Sequence, residues 1–239
     1  MREQDRIREV FARRDRQEMP HDSYFDLGYL FGVQMRERRV LTLLRRAGIR
    51  KFDSLRFLEI GCGTGNWLRE FVKWGAAPEH VVGIDLQEQR VNEALRRLPG
   101  GVSVLCGDAA SLSMPDKNFD IILQSTVFTS ILDFDLRLRL ASEMVRLLSD
   151  NGVIIWYDFH IDNPRNPDVR GVRKDEIKAL FPDCVVDMKR ITLAPPVARV
   201  LAPCSMLLCT VLELCPLLCS HYLGTIRKAE STSRRRMKA

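Results

Sequence analysis

The stretch Leu58-Glu59-Ile60-Gly61-Cys62-Gly63-Thr64-Gly65-Asn66-Trp67 runs from a short apolar strand into a turn with glycine at three alternate positions. No other feature constrains the fold as strongly. Alternate glycines put no Cβ between the backbone and an approaching ligand. A helix predicted over 66–74 points its unpaired N–H groups at that ligand. Glu59, just upstream, favours a bound cation and disfavours a phosphate. The dinucleotide turn G-x-G-x-x-G does not fit, because the third glycine arrives one residue early and Asn66 holds the sixth place.

Further strand-like runs follow. Val81-Val82-Gly83-Ile84-Asp85-Leu86 is apolar and ends in an acid. An Asp at the end of a second strand can accept hydrogen bonds from both hydroxyls of a ribose; the alternative is a cap for the helix predicted over 87–97. Leu86 then offers an apolar face to a base. A third strand is predicted over 102–106, with Asp108 and Ala109 after it, a fourth over 119–125 and a fifth over 151–158. Apolar runs alternating with helical patterns imply a parallel sheet covered on both faces.

The pattern E-x-G-x-G-x-G, with acids after the next two strands, resembles motif I and its companions in the class I S-adenosylmethionine (SAM)-dependent methyltransferases, in particular methyltransferase types 11 and 25. The likeness is good over residues 55–158 and looser elsewhere. It implies an α/β fold: a Rossmann-like, doubly wound, mostly parallel seven-stranded sheet, an N-terminal helical cap and a helical insertion before the last strand. It implies SAM as cofactor and S-adenosylhomocysteine (SAH) as product. Gly61, Gly63 and Gly65 would lie under the methionine part, with Glu59 facing its ammonium group. Asp85 and Leu86 would take the ribose and adenine, Asp108 the adenine amino group, and the Ala109 N–H the ring. Gln124 opens a segment of small hydroxyls and amides placed beside the methyl sulfonium, and Phe128 packs on the cofactor or in the core.

Composition agrees with a globular enzyme. The 239 residues are 46% hydrophobic and 28% charged, enough for one full α/β domain. Residues 1–20 lack the apolar run of a secretory signal, and the seven cysteines show no metal-like pairing. Reduced, buried thiols and a cytoplasmic location are expected. No metal is expected, although Asp133, Asp158 and Asn163 offer oxygen ligands of the kind Mg²⁺ takes. The net charge of +6 gathers in the first helices and in the tail Arg234-Arg235-Arg236-Met237-Lys238, which reads as a solvated terminus or an arm toward anionic lipid or RNA.

Three parts are expected: a helical cap over 1–50, the cofactor-binding core over 51–160, and a completing segment over 161–239. Helices are predicted over 7–16 and 32–47, joined by an aromatic loop over 21–29 in which Tyr24 and Tyr29 are candidate lid residues. The Asn/Asp-Pro-Pro-aromatic motif of base amino-methylating enzymes is absent after the fourth strand, where Gln124-Ser125-Thr126-Val127-Phe128 stands instead. Nucleic acid is therefore a disfavoured partner. A small-molecule or glycan acceptor, methylated on a hydroxyl, is expected. The loop after the fifth strand borders the site, and His160 is the first candidate base, because its ordinary pKa lies nearest neutrality. Asp158 is the second, and Arg165 and Arg170 are candidate anion binders.

Residues 197–219 are nearly all apolar. Pro203, Pro216 and Glu213 argue against a membrane span, and a last strand over 221–226 requires the segment to be one or two helices inserted between the last two strands, forming a lid or a hydrophobic wall. It would bury its face on the core, a partner, a lipid surface at the inner side of the membrane, or a greasy substrate. This ending and the loop Asn163-Pro164-Arg165-Asn166-Pro167 resemble bacterial methyltransferases of cell-surface polysaccharide gene sets, which implies a sugar hydroxyl, lipid-linked, as acceptor. Two other readings stay open: an RNA or protein methyltransferase using the basic ends, and a catalytically silent SAM-binding module.

Overall fold

The computed structural model describes residues 2–16 and 23–229. Five parallel strands, β1 (Phe57–Ile60), β2 (Val81–Asp85), β3 (Ser103–Cys106), β4 (Phe119–Ser125) and β5 (Leu148–Phe159), are followed by β6 (Cys184–Leu193) and β7 (Cys219–Lys228). They form one sheet in the order β3-β2-β1-β4-β5-β7-β6. Only β7 runs antiparallel, pairing with β5 on one side and β6 on the other. The sheet is therefore the doubly wound, mostly parallel one expected. The chain reverses between β1 and β4, which opens a crevice beyond the carboxyl ends of the strands.

Both faces of the central strands are buried. In β5, Val153, Ile155 and Tyr157 pack with α2 (Leu27–Arg46) and α3 (Asn66–Lys73). The alternate residues Ile154 and Trp156 pack with α5 (Phe134–Leu147) and α6 (Lys174–Leu180). Strands buried on both faces read as continuous apolar runs, which is why they were visible in the sequence. α4 (Glu88–Arg97) connects β2 to β3. Two helices are fixed by acids at their starts: the Asp26 carboxylate accepts from the Tyr29 N–H at 2.9 Å, and Asp133 from the Leu136 N–H at 2.7 Å. Asp133 thus serves as a helix cap, and among the described residues no cluster of three or more His, Cys, Asp or Glu is arranged to hold a metal.

The N-terminal region differs from expectation in one respect. α2 begins at Leu27, so Tyr29 stands on a helix and not in a loop; His21 and Asp22 lie outside the described residues. α1 (Glu3–Asp15) crosses the carboxyl ends of the strands. It is held there by the Arg6 guanidinium donating to the Ser130 carbonyl at 2.7 Å and by the Leu132 N–H donating to Glu3 at 2.6 Å.

The insertion between β6 and β7 is two short helices, α7 (Pro195–Leu201) and α8 (Met206–Leu212). One face is seated on α2, where Phe31 and Met35 meet Ala198, Ala202 and Cys209. The approach is close: a Cβ on Gly28 would lie 2.7 Å from the Arg199 Cα. The other face is exposed, with Val200, Leu207, Val211, Leu214 and Leu217 between 53% and 83% accessible. No helix of the described residues is long and apolar enough to cross a membrane. The cysteines are free, but Cys106, Cys204 and Cys215 are exposed, against the expectation of burial.

Candidate active site

β1 ends in three glycines that all adopt left-handed backbone, with φ of +66° at Gly61, +53° at Gly63 and +80° at Gly65. Non-glycine residues resist this conformation. The turn lets α3 start immediately behind it, with Gly65 as its N-cap. A Cβ on Gly61 would lie 2.6 Å from the Val127 side chain, whereas one on Gly63 would meet only the Arg90 guanidinium at 3.9 Å. The Gly63 position faces open space, as a ligand cradle requires. The turn is tied to the next strand: the Gly63 N–H donates to one Asp85 carboxylate oxygen at 2.8 Å, and the Gln87 N–H to the other at 2.8 Å. Asp85 is therefore not the cap expected of a pure helix start; Gln87 holds that place. Burial raises the Asp85 pKa, and these two donors oppose the shift.

Two cavities flank the turn and share Gly61, Arg90 and Ser125. The first, of about 150 Å³, is mostly apolar and includes Ile84, Leu86, Ala109 and Val127, with Asp85 and Asp108 at its polar edge. The second, of about 480 Å³, contains Glu59, Gly61, Gly63 and Arg36. Glu59 is 2% exposed, and its Oε2 has no hydrogen-bond partner. Burial, then the charge of Asp85, pushes its pKa well above the usual carboxylate range, while the Arg36 guanidinium pulls it back. Arg36 packs over the rings of Trp67 and Tyr157 at 5.2 and 5.4 Å, and its Nε is also unpartnered.

This pairing tests the fit to SAM. An unpartnered carboxylate oxygen and an unpartnered guanidinium nitrogen share one cavity. Buried polar atoms left so are costly, and a zwitterionic amino-acid end, ammonium to Glu59 and carboxylate to Arg36, would satisfy both. The neighbouring apolar cavity, with an acid at each of two strand ends, suits an adenosine. The residues fit the cofactor.

The sequence reading missed Arg36, and within the expected helical cap it put the lid residues at Tyr24 and Tyr29. The cover on the adenosine cavity is α1: Ile7 and Phe11 line it, and the Gln4 side-chain amide donates to Asp108 at 3.0 Å. Tyr24 and Tyr29, the expected lid, instead meet edge-to-face at 5.5 Å beside a small cavity at Arg36 and Trp67. The amphipathic spacing of Ile7, Val10 and Phe11 was the available signal for α1.

Other expected site residues sit elsewhere. Gln124 is fully buried and lines neither cavity; its Oε1 accepts from the Val127 N–H at 3.2 Å, so it braces the turn after β4 from beneath. Phe128 is core, 4.6 Å from the Trp156 ring. Asp158 is fully buried. It accepts from the Thr129 hydroxyl at 2.7 Å and the Thr129 N–H at 3.2 Å, and so pins the turn Phe128–Ser130 to β5. Burial pushes its pKa up to about 6, against the pull of those donors. His160 lines none of these cavities. Its Nε2 lies 2.9 Å from the Cys219 carbonyl, which can only accept, so Nε2 carries the proton. The structure brings neither candidate base to the cofactor cleft. Arg170 is paired with Glu176 at 2.6 Å, and Arg165 is exposed.

Fold and site together define a methyl-donor cleft of the class I SAM-dependent kind. The sequence profile of a family described as "Methyltransferase domain" matches residues 57–152. The ubiquinone biosynthesis O-methyltransferase of Chelativorans sp. is 35% identical over 98 residues, covering 40% of this chain and 38% of that protein. The fatty-acid O-methyltransferase of Mycolicibacterium smegmatis is 33% identical over 107 residues, covering 44% and 38%. The chain thus spans under two fifths of the length of these relatives. Among solved structures, the phosphoethanolamine N-methyltransferase 1 of Haemonchus contortus, complexed with phosphoethanolamine and SAH, superposes with a TM-score of 0.65. That match is 14% identical and covers 96% of this chain and 50% of that one, so it speaks to the fold alone. Residues 57–152 thus form a methyltransferase domain of the SAM-dependent kind, with SAM as the cofactor its cleft fits.

Proposed function

We propose that the protein transfers the SAM methyl group to an oxygen of a small-molecule acceptor. The carrying observation is the pair of unpartnered groups, Glu59 Oε2 and Arg36 Nε, in the cavity beside the left-handed glycine turn. The bound cofactor supplies a methyl carbon made electrophilic by cationic sulfur. The chain's own task is to hold and align. Gly63 leaves room, Asp85 fixes the turn, and α1 excludes water from the adenosine cavity. Alignment alone lowers the barrier substantially.

A hydroxyl acceptor, whether a glycan's or a metabolite's, would need a base to take its proton. His160 has one ring nitrogen committed to Cys219, and Asp158 is sealed under Thr129. The site therefore favours an acceptor oxygen with no proton to lose. The O-methyltransferases of ubiquinone biosynthesis and of fatty acids among its relatives support an apolar small molecule. The test is incubation with methyl-labelled SAM and an extract of lipids and metabolites, followed by solvent partition. Label in the organic phase is the expected result. Label only in RNA or protein would replace this reading with the macromolecular one, and bound cofactor with no labelled product would replace it with the silent module.

We also propose that the exposed face of α7 and α8 rests on an anionic lipid surface. Across residues 195–218 the one exposed charge is Arg199, since Glu213 is 4% exposed. Exposed apolar side chains beside a single exposed cation suit such a surface.

A further inference from the structure

A further cavity, of about 220 Å³, lies between α1 and the loop after β5. It shares Phe11, Thr126 and Ser130 with the adenosine cavity, so it opens on the other side of the same wall. Among the described residues, none of those lining it is acidic. Phe159, Ile161 and Val169 give it apolar walls, and Arg14 reaches it from α1.

Among the described residues, Arg14 is the cation of this neighbourhood that forms no ion pair. Arg6 pairs with Glu3, Arg13 with Asp168 and Arg90 with Asp15, one acid to each. The Arg14 Nη2 is buried and has no hydrogen-bond partner among the described residues. Its guanidinium stacks 5.1 Å from the Phe11 ring centroid. Burial pulls the Arg14 pKa down, and the neighbouring Arg90, Arg13 and Arg6 add to the pull; only Asp168, already engaged by Arg13, opposes it. A charge in this setting gains from an anion that comes to it. Two amides stand ready beside it. The Asn163 Oδ1 accepts from the Arg165 N–H at 3.0 Å, and the Asn166 Oδ1 from the Asp168 N–H at 3.1 Å. With the oxygens occupied, the NH₂ groups remain as donors.

We propose that this cavity is the acceptor pocket, and that it selects an amphiphile whose anionic head group, a carboxylate or phosphate, is held by Arg14 with Asn163 and Asn166 while its apolar part lies on Phe159, Ile161 and Val169. The proposal rests on the methyltransferase reading and deepens it by naming the substrate class. It also accounts for the lack of a base at the cleft, since an anionic acceptor oxygen carries no proton.

Calorimetric titration of the full chain, pre-loaded with SAH, with octanoate, octyl phosphate and octanol provides the test. One of the two anions should bind at least tenfold more tightly than octanol. Arg14→Gln should remove that preference, and Arg14→Lys should retain most of it. SAH affinity should stay within about twofold in both variants, because Arg14 touches neither cofactor cavity. Whichever anion binds more tightly identifies the head group. Octanol binding as tightly as both anions, or an anion preference that survives Arg14→Gln, would overturn the proposal. Failure of SAH to bind the wild-type chain would instead strike the cofactor reading, and the two failures are separately visible.

Discussion

The donor side and the acceptor side of the cleft are built from different materials. On the donor side much of the work is done by backbone, three left-handed glycines and the N–H groups they free, with the side chains of Glu59, Asp85 and Arg36 set around them. On the acceptor side it is done by side chains gathered from afar, Arg14 from α1, Thr129 from the turn after β4, and Phe159 to Gly171 from the loop after β5. A backbone cradle tolerates little change, because each glycine conformation is strained for any other residue. A side-chain pocket can be re-lined one residue at a time.

That contrast can be broken most severely at the turn. Gly63→Ala should cut SAH affinity at least about 100-fold, by strain of about 1–2 kcal/mol and by filling the ligand's space, while octanoate binding persists. Titration of both ligands checks it; equal loss of both would show that the two sides are not independent. Glu59→Gln should cost about 10- to 100-fold in SAH affinity, the scale of a charged hydrogen bond of about 1.5–3 kcal/mol. Arg36→Met should weaken SAH by a comparable factor if the cofactor's amino-acid end is held at both charges.

The pH dependence sharpens the comparison on the acceptor side. Asp158 titrates near 6 in the folded protein, above the ordinary value of about 4. Between these values the folded state binds the extra proton, so stability falls as pH rises from about 4 to about 6 and is level above. The full effect is about 3 kcal/mol. In Asp158→Asn, thermal melts across that window should lose this slope; an unchanged slope would show that Asp158 does not titrate there. The smallest effect is expected on the insertion. Leu217→Ser, at an 83% exposed position, should change stability by less than about 0.5 kcal/mol. Co-sedimentation with vesicles containing phosphatidylserine should nevertheless fall.

Legibility followed the same division. The glycine turn, Asp85 and Asp108 were readable because local spacing and strand-end acids carry them, whereas the seven-stranded sheet followed from the family resemblance. The two inserted helices were readable because a last strand had to return to the sheet. The start of α2 was misplaced, since Asp26 caps it through one hydrogen bond that no periodicity announces. His160 and Asp158 were sound chemical candidates, but strand alternation and pairing with β7 turned one toward a carbonyl and the other into the core. Arg36 and Arg14 went unseen because their value comes from what surrounds them: one has an unpartnered Nε in the cavity of Glu59, the other is the fourth cation among three acids of the described residues. Sequence alone does not count partners in space.

The central claim is that the cleft beyond β1 and β2 holds SAM by its amino-acid end. Isothermal titration of the wild-type and Glu59→Gln chains with SAH and with NADH tests it most directly. SAH should bind the wild type with one site per chain, weaken at least tenfold in the variant, and leave NADH without measurable binding. NADH binding more tightly than SAH, or SAH binding indifferent to Glu59, would contradict the account.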